Sequence, residues 1–176
     1  MTEKADKFSP LPNGIPAPAP EDYSYELHLK IMQYPNTYLV TGLDLGAGTH
    51  PVNKSGYGVR AAQVALGAAY GGKDEIYGPL YASYKIDGDK VVISYTHTGK
   101  GLAFKNGDKL QGFEIAGADK KFVWGDCAIE GNTVVVSSKS VPQPAAVRYA
   151  WSGNFHRANL FNKDGLPAQP FRTDDW

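Results

Sequence analysis

The feature that most constrains the fold is a change of texture near Gly72. Downstream of it, residues 80–86, 90–96, 110–116, 121–129, 133–138 and 146–151 are short runs rich in Val, Ile, Tyr, Phe and Trp. They are punctuated by Asp87-Gly88-Asp89, Asn106-Gly107-Asp108 and Glu130-Gly131-Asn132. Glycine beside Asp or Asn takes the positive φ of tight hairpin turns, so successive runs become antiparallel neighbours. No helical period separates them, which excludes βαβ units and predicts an antiparallel β-sandwich or jelly-roll-like unit.

Upstream the pattern is different. Five of the twelve prolines fall between Pro10 and Pro20, fixing φ repeatedly and removing amide donors, so residues 1–20 should form an extended strap. Residues 21–33 carry Tyr25, Leu27, Leu29, Ile31 and Met32 among charges and predict a helix that stops before Pro35. Residues 38–43 predict a buried strand, released by Gly46 and Gly48 into a loop. Ser55 is a candidate cap for a second helix whose stripe is Val59, Ala62, Leu66 and Ala69, ending at Gly71-Gly72 and spanning ~24 Å at about 1.5 Å per residue. Helix, strand, loop, helix is an α/β arrangement, but one strand leaves its edges unpaired. Residues 21–72 therefore read as a piece of a domain, and residues 73–176 as a β-rich unit with a boundary near 72–77.

Composition removes several classes of function. The chain is 42% hydrophobic and 12% aromatic over 176 residues, which excludes wholesale disorder. Its 18 Lys and Arg balance 18 Asp and Glu, so there is no basic stripe for a phosphate backbone, and nucleic acid is not an expected partner. A single Cys rules out an intrachain disulfide or a Cys-rich metal cluster. His28, His97 and His156 lack zinc-ligand spacing, and neither a metal nor a cofactor is expected. Nothing approaches the roughly 20 apolar residues that span a bilayer, so the chain is expected to be soluble, without an export signal and without a membrane partner.

Chemistry concentrates in Leu43-Asp44-Leu45-Gly46-Ala47-Gly48-Thr49-His50. Read as a glycine-rich cofactor loop, the run looks like the S-adenosylmethionine turn of class I methyltransferases; against that, His50-Pro51 takes the third small position and hairpins replace the next βα unit. Read for acid/base work, His50 sits in the loop after a buried strand, where open α/β sheets place catalytic groups, and imidazole can take a proton from a serine hydroxyl and return it to a leaving group. A plain surface-loop His is the bland alternative. Asp44 is a candidate to orient His50, and equally a candidate to cap the loop. Tyr77, Tyr81, Tyr84 and Tyr95 form a possible sugar-stacking platform, or a cross-strand core pair of Tyr84 with Tyr95. Cys127, in Gly125-Asp126-Cys127, reads as a buried structural residue, and residues 171–176 as a tail docked on the body.

Separated matches in consistent order then point to a family. They are Leu11-Pro12-Asn13; Tyr34-Pro35-Asn36-Thr37 into Leu43-Asp44-Leu45-Gly46; His50-Pro51-Val52-Asn53-Lys54; Gly58-Val59-Arg60-Ala61-Ala62; and Tyr70-Gly71. Gly78-Pro79-Leu80-Tyr81, Gly112-Phe113-Glu114-Ile115-Ala116-Gly117, Val147-Arg148-Tyr149-Ala150-Trp151 and Pro170-Phe171-Arg172-Thr173-Asp174-Asp175-Trp176 follow. From Phe8 onward the chain resembles the C-terminal part of bacterial sialate O-acetylesterases, members of the SGNH hydrolase superfamily. The resemblance implies the end of an SGNH, flavodoxin-like α/β domain followed by a β unit, with His50 at the catalytic His position. The place three residues before that His, often an Asp in the superfamily, is Ala47 here. The superfamily's Gly-Asp-Ser nucleophile segment has no counterpart in this sequence. The resemblance thus implies a carbohydrate esterase acting on O-acetylated sialic acid or a related glycan, inactive as this chain alone, with a missing N-terminal half as partner and a periplasmic or secreted location. The competing expectation is a non-catalytic carbohydrate-binding or structural β module.

Overall fold

The computed structural model describes Pro16 and residues 24–46, 53–151 and 158–176. Two helices, α1 (Ser24–Ile31) and α2 (Lys54–Ala69), precede the strands β1 (Leu80–Asp87), β2 (Lys90–Thr96), β3 (Leu102–Phe104), β4 (Phe113–Ala116) and β5 (Val123–Trp124). Then come β6 (Asp126–Glu130), β7 (Thr133–Ser137), β8 (Ala146–Tyr149), β9 (Leu160–Asn162) and β10 (Phe171–Arg172). All pairings are antiparallel, in sheets of order β1-β2-β7-β6 and β10-β8-β4-β5, with a small β3-β9 ribbon. The expected fold class is met as a small helical piece followed by an antiparallel β-sandwich-like unit.

Period-two burial builds the sandwich. Val91, Ile93, Val134 and Val136 from one sheet and Phe113, Ile115, Val147 and Tyr149 from the other form one continuous core, while Lys90 and Thr96 face outward. Each such side chain, taken fully out of water, contributes about 1.5–3 kcal/mol. Two hairpins keep the register. Asp87 pairs with Lys90 and Glu130 with Thr133, each across a two-residue loop opened by a glycine at φ 62, Gly88 or Gly131.

The structure redraws some boundaries. The run expected at 121–129 is two strands in two different sheets, β5 and β6. The chain passes from one sheet to the other at Gly125, where an added Cβ would lie 2.5 Å from Val136 Cγ1 and so could not fit. A bulge between Tyr81 and Ser83 shifts β1 against β2, so Tyr81 faces Tyr95 and Tyr84 faces Ile93. The expected Tyr84–Tyr95 pair is therefore corrected to Tyr81–Tyr95. The ribbon strands and β10 are too short for any sequence period to show.

The tail docks as expected. Phe171 pairs with Tyr149 and stacks on Tyr81 at 4.7 Å, and Arg148 makes a bidentate ion pair with Asp174 at 2.9 and 2.6 Å. Arg172 donates to Glu26 at 2.6 Å, tying α1 to the sandwich, and Gln63 Nε2 donates to the Glu75 carbonyl at 2.5 Å, tying α2 to it.

Among the helices the outcome is mixed. Residues 38–42 have no strand pairing, and the expected strand stands without a ladder because no described segment offers it an edge. The α2 stripe Val59, Ala62, Leu66 and Ala69 faces solvent rather than the body. Its inner face is instead Gly56, Arg60, Val64 and Gly67. The helix cap is Asn53, whose Oδ1 accepts from Gly56 N at 2.9 Å and from Ser55 Oγ at 3.1 Å, so Ser55 is a partner of the cap and not the cap itself. Among the described residues no helix is long and apolar enough to cross a membrane.

Candidate functional site

The loop after residues 38–43 is locked to α2 by a polar clamp. Arg60, one turn and a half into the helix, donates through Nη1 to the Thr41 carbonyl at 2.9 Å and grips Asp44 with both guanidinium branches, at 2.5 and 2.7 Å. The Arg60 side chain is 12% exposed and Asp44 28%, so water only partly screens the pair, and the two parallel hydrogen bonds fix carboxylate orientation as well as charge. Leu45 is buried against the helix where Gly56 has no side chain, and the Tyr57 hydroxyl reaches the Gly42 carbonyl at 3.4 Å.

His50 lies outside the described residues, as do residues 47–49 and 51–52. Asp44 is brought together with Arg60. The sequence reading passed over Arg60, although the signal was present: it is the charged residue on the inner stripe Gly56, Arg60, Val64 and Gly67. A lone guanidinium on a packing face needs an anionic partner. Asp44, sixteen residues earlier at the end of an apolar segment, is that partner.

The remaining candidates separate cleanly. Tyr95 is buried, and Tyr81 is stacked on Phe171, within an aromatic cluster with Phe113 and Tyr149. Tyr95 is inside the core and Tyr81 packs against it with a ring face given to Phe171, so these two serve the core. Tyr84 is 39% exposed, and Tyr77 meets the His97 ring edge-on at 5.0 Å. Burial pushes the Tyr77 phenol up, an effect partly offset by a hydrogen bond with the Leu39 backbone. Cys127 lies on β6, where its thiol donates to the Leu110 carbonyl at 3.1 Å, and burial pushes its pKa up to about 12. A thiol held neutral in this way is no nucleophile. His28 sits on α1 beside Tyr25, and His156 lies outside the described residues. Among the described residues no cluster of His, Cys, Asp and Glu could hold a metal ion.

A buried charge cluster that the sequence did not reveal lies on the outer face of the second sheet. Glu114, 3% exposed, stands in register between Trp124 on β5 and Arg148 on β8, and Arg148 also holds Asp174 and stacks over the Phe122 ring at 3.9 Å. Burial raises the Glu114 pKa to about 7, against the pull of Arg148 and with the help of Asp174. Its Oε1 and the Trp124 Nε1 are both buried without a hydrogen-bond partner.

No family model matches this chain and no curated protein matches it. Among solved structures it is similar to a carbohydrate acetylesterase from Xanthomonas citri, with 43% sequence identity over 76% of this chain and a TM-score of 0.72. The match takes in 31% of that protein, so this chain spans about a third of the length of the solved relative.

Proposed function

We propose that this chain is the C-terminal portion of a carbohydrate O-acetylesterase that removes acetyl groups from a glycan, with sialic acid or a related acetylated sugar as the finer assignment. The observation that carries the reading is the 43% identity to a carbohydrate acetylesterase at a TM-score of 0.72. In this reading residues 21–72 are the end of an SGNH-type α/β domain, residues 73–176 are its β-rich companion, and residues 1–20 are the strap. The solvent-facing stripe of α2 and the unpaired residues 38–42 support it, because a helix and a strand of an α/β layer need further strands to cover them.

The chemistry follows from the proposed roles. A serine supplied by the remainder of the protein attacks the acetyl carbonyl while His50 takes the hydroxyl proton. His50 then returns that proton to the departing sugar oxygen, and water releases acetate by the same sequence in reverse. Asp44, clamped by Arg60, holds the loop that carries His50, and a carboxylate oxygen with a spare lone pair can also orient the imidazole.

Acetate release from acetylated xylan and from 9-O-acetylated sialic acid tests the proposal. The chain alone is expected to release none. Supplied in cis or in trans with a segment equivalent to the part of the solved relative that it does not cover, it is expected to hydrolyse one of these esters. His50→Ala should lower that rate by about 10²-fold or more, in the range of a lost general base. Turnover by the chain alone, or turnover indifferent to His50→Ala, would overturn the assignment. The relative activity on the two substrates decides the sugar.

A further inference from the structure

A polar cleft lies at the far end of α2 from Asn53, about 24 Å along a 16-residue helix. Its volume is about 450 Å³, within the roughly 300–1,000 Å³ of small-molecule clefts. It is lined by Gly67, Gly72, Gly99, residues 73–76, His97, Lys100 and Asp164, with the Ile76 side chain packed over Gly67 and the Asp164 carboxylate over Gly99.

Its centre is built with some care. His97 holds φ 54, a left-handed backbone that costs a non-glycine residue of order 1 kcal/mol or more. Three contacts keep it there: Nδ1 meets Glu75 Oε1 at 2.9 Å, the ring takes Tyr77 edge-on at an interplanar angle of 83°, and the His97 carbonyl accepts from Asn162 Nδ2 at 3.2 Å. Asn162 is fully buried and also donates to the Tyr77 carbonyl at 3.0 Å, so one amide pins both segments that carry the rings. Glu75 Oε1 accepts from Ile76 N and Tyr77 N as well, at 3.0 and 3.2 Å. With Nδ1 engaged by Glu75, Nε2 is the nitrogen left for a ligand.

The charges on the walls choose the ligand class. Lys73 and Lys100 stand against Asp74, Glu75 and Asp164, so an anion would meet a net negative wall. A metal ion is equally ill served: Glu75 is spent on backbone amides and His97, and Asp164 on the Lys100 amide at 2.9 Å and its ammonium at 3.1 Å. Among the described residues neither Lys73 nor Asp74 has a hydrogen-bond or ion-pair partner. The Lys73 ammonium, the Asp74 carboxylate and the His97 imidazole nitrogen around one cleft suit a neutral polyhydroxylated ring, which takes hydrogen bonds from donors and acceptors alike without burying a charge of its own.

We propose that this cleft is a binding subsite for a neutral pyranose unit of a glycan, separate from the loop that carries His50. The choice of a sugar rests on the carbohydrate-esterase reading above; the site itself rests on the cleft. The test is amide and imidazole chemical-shift titration of the ¹⁵N-labelled chain with methyl β-D-xylopyranoside and methyl β-D-glucopyranoside. Saturable shifts are expected at the amides of Ile76, Tyr77, Gly99 and Lys100 and at the His97 ring. His97→Ala should weaken binding about tenfold, equivalent to about 1.4 kcal/mol, as for one good hydrogen bond. Since His97 also supports its neighbours, the double variant Lys73→Ala/Asp74→Ala, at two exposed positions, should weaken binding several-fold in a fully folded chain. His50→Ala should leave it unchanged. Three results would overturn the proposal: no saturable shift with either glycoside, binding unaffected by both cleft variants, or binding of N-acetylneuraminic acid with neither neutral glycoside bound. Glycoside binding without acetate release in the joined protein would remove the esterase reading and keep the site. Acetate release without glycoside binding would do the reverse.

Discussion

The sandwich and the helical piece follow the same rule of apolar patterning and end in opposite states. On β2 and β7, Val91, Ile93, Val134 and Val136 are fully buried, whereas on α2 Val59 and Leu66 are 67% and 56% exposed. The difference is one of supply. A hairpin brings its own partner within a few residues, so β1 with β2 and β6 with β7 pair locally, the two hairpins join through β2 and β7, and the inner face of their sheet meets a second sheet made by the same chain. A helix of an α/β layer needs a sheet beneath it, and the described residues provide α2 with only a loop and the 75–77 connector. A pattern in the sequence thus tells which faces are apolar; the amount of partner surface in the chain decides which of them are dry.

The contrast is broken most forcefully in the sandwich. Phe171 sits on a two-residue strand at the sheet edge, yet it is buried and contacts Tyr81, Tyr95, Phe113 and Tyr149. Phe171→Ala should cost about 3–5 kcal/mol, as for large-to-small changes in a packed core. Urea unfolding followed by near-ultraviolet circular dichroism measures it. A loss under about 1 kcal/mol would mean that the tail is not part of the core.

Within the sandwich, Glu114 sharpens the comparison, because it is a buried group whose burial is costly. Its folded pKa, near 7, lies above the unfolded value of about 4.5, so the folded state favours the protonated form. This contribution to stability is fully present below about pH 4.5 and is lost as the pH rises through 7, by about 3 kcal/mol in all. Arg148 on β8 and Asp174 in the tail are the charges that face it, and Trp124 is its neutral neighbour on β5. Glu114→Gln should abolish this part of the pH dependence. The check is the wild-type minus variant difference in unfolding free energy between pH 4.5 and 8; a flat difference would place Glu114 in contact with water.

How far the sequence could be read depended on whether a signal was local. Two-residue turns opened by Gly88 and Gly131 placed the hairpins, but which face of β2 and β7 turns inward was not legible, because Val92 and Val135 are as apolar as the buried Val91, Ile93, Val134 and Val136. The crossing at Gly125 stayed hidden because a strand that changes sheets keeps its β composition throughout. The Tyr81 bulge stayed hidden because one extra residue leaves no trace in residue type while shifting every partner beyond it. The burial of Glu114 left no local signal, since its cover comes from Trp124, Arg148 and a tail sixty residues away. At the candidate site Asp44 was legible as a loop carboxylate, but its partner Arg60 required knowing which side of α2 faces inward. The natural inference from Val59, Ala62, Leu66 and Ala69 chose the other side. The roles of His50 and Asp44 in catalysis rest on resemblance, as the structure describes only the Asp44 end of the loop.

The smallest expected effect is also the sharpest test of why the two regions differ. If the α2 stripe is exposed because its covering layer is supplied by other chain, polar replacement there should leave this chain's own stability almost untouched. Val59→Ser and Leu66→Gln should each change the unfolding free energy by no more than about 0.5 kcal/mol, the range of surface substitutions. Solubility should rise, because a contiguous apolar patch on the surface promotes association. The same variants in a protein that includes the covering layer should cost about 2 kcal/mol or more each, the scale of burying a polar group in place of an aliphatic one. Measuring both in parallel separates two causes that look alike in the isolated chain. A stripe that is a genuine surface stays neutral in both settings, whereas an interface is neutral alone and destabilised when joined. A loss of more than about 1 kcal/mol in the isolated chain would mean that the helix already packs against residues of this chain, and the contrast between the two regions would then be one of degree.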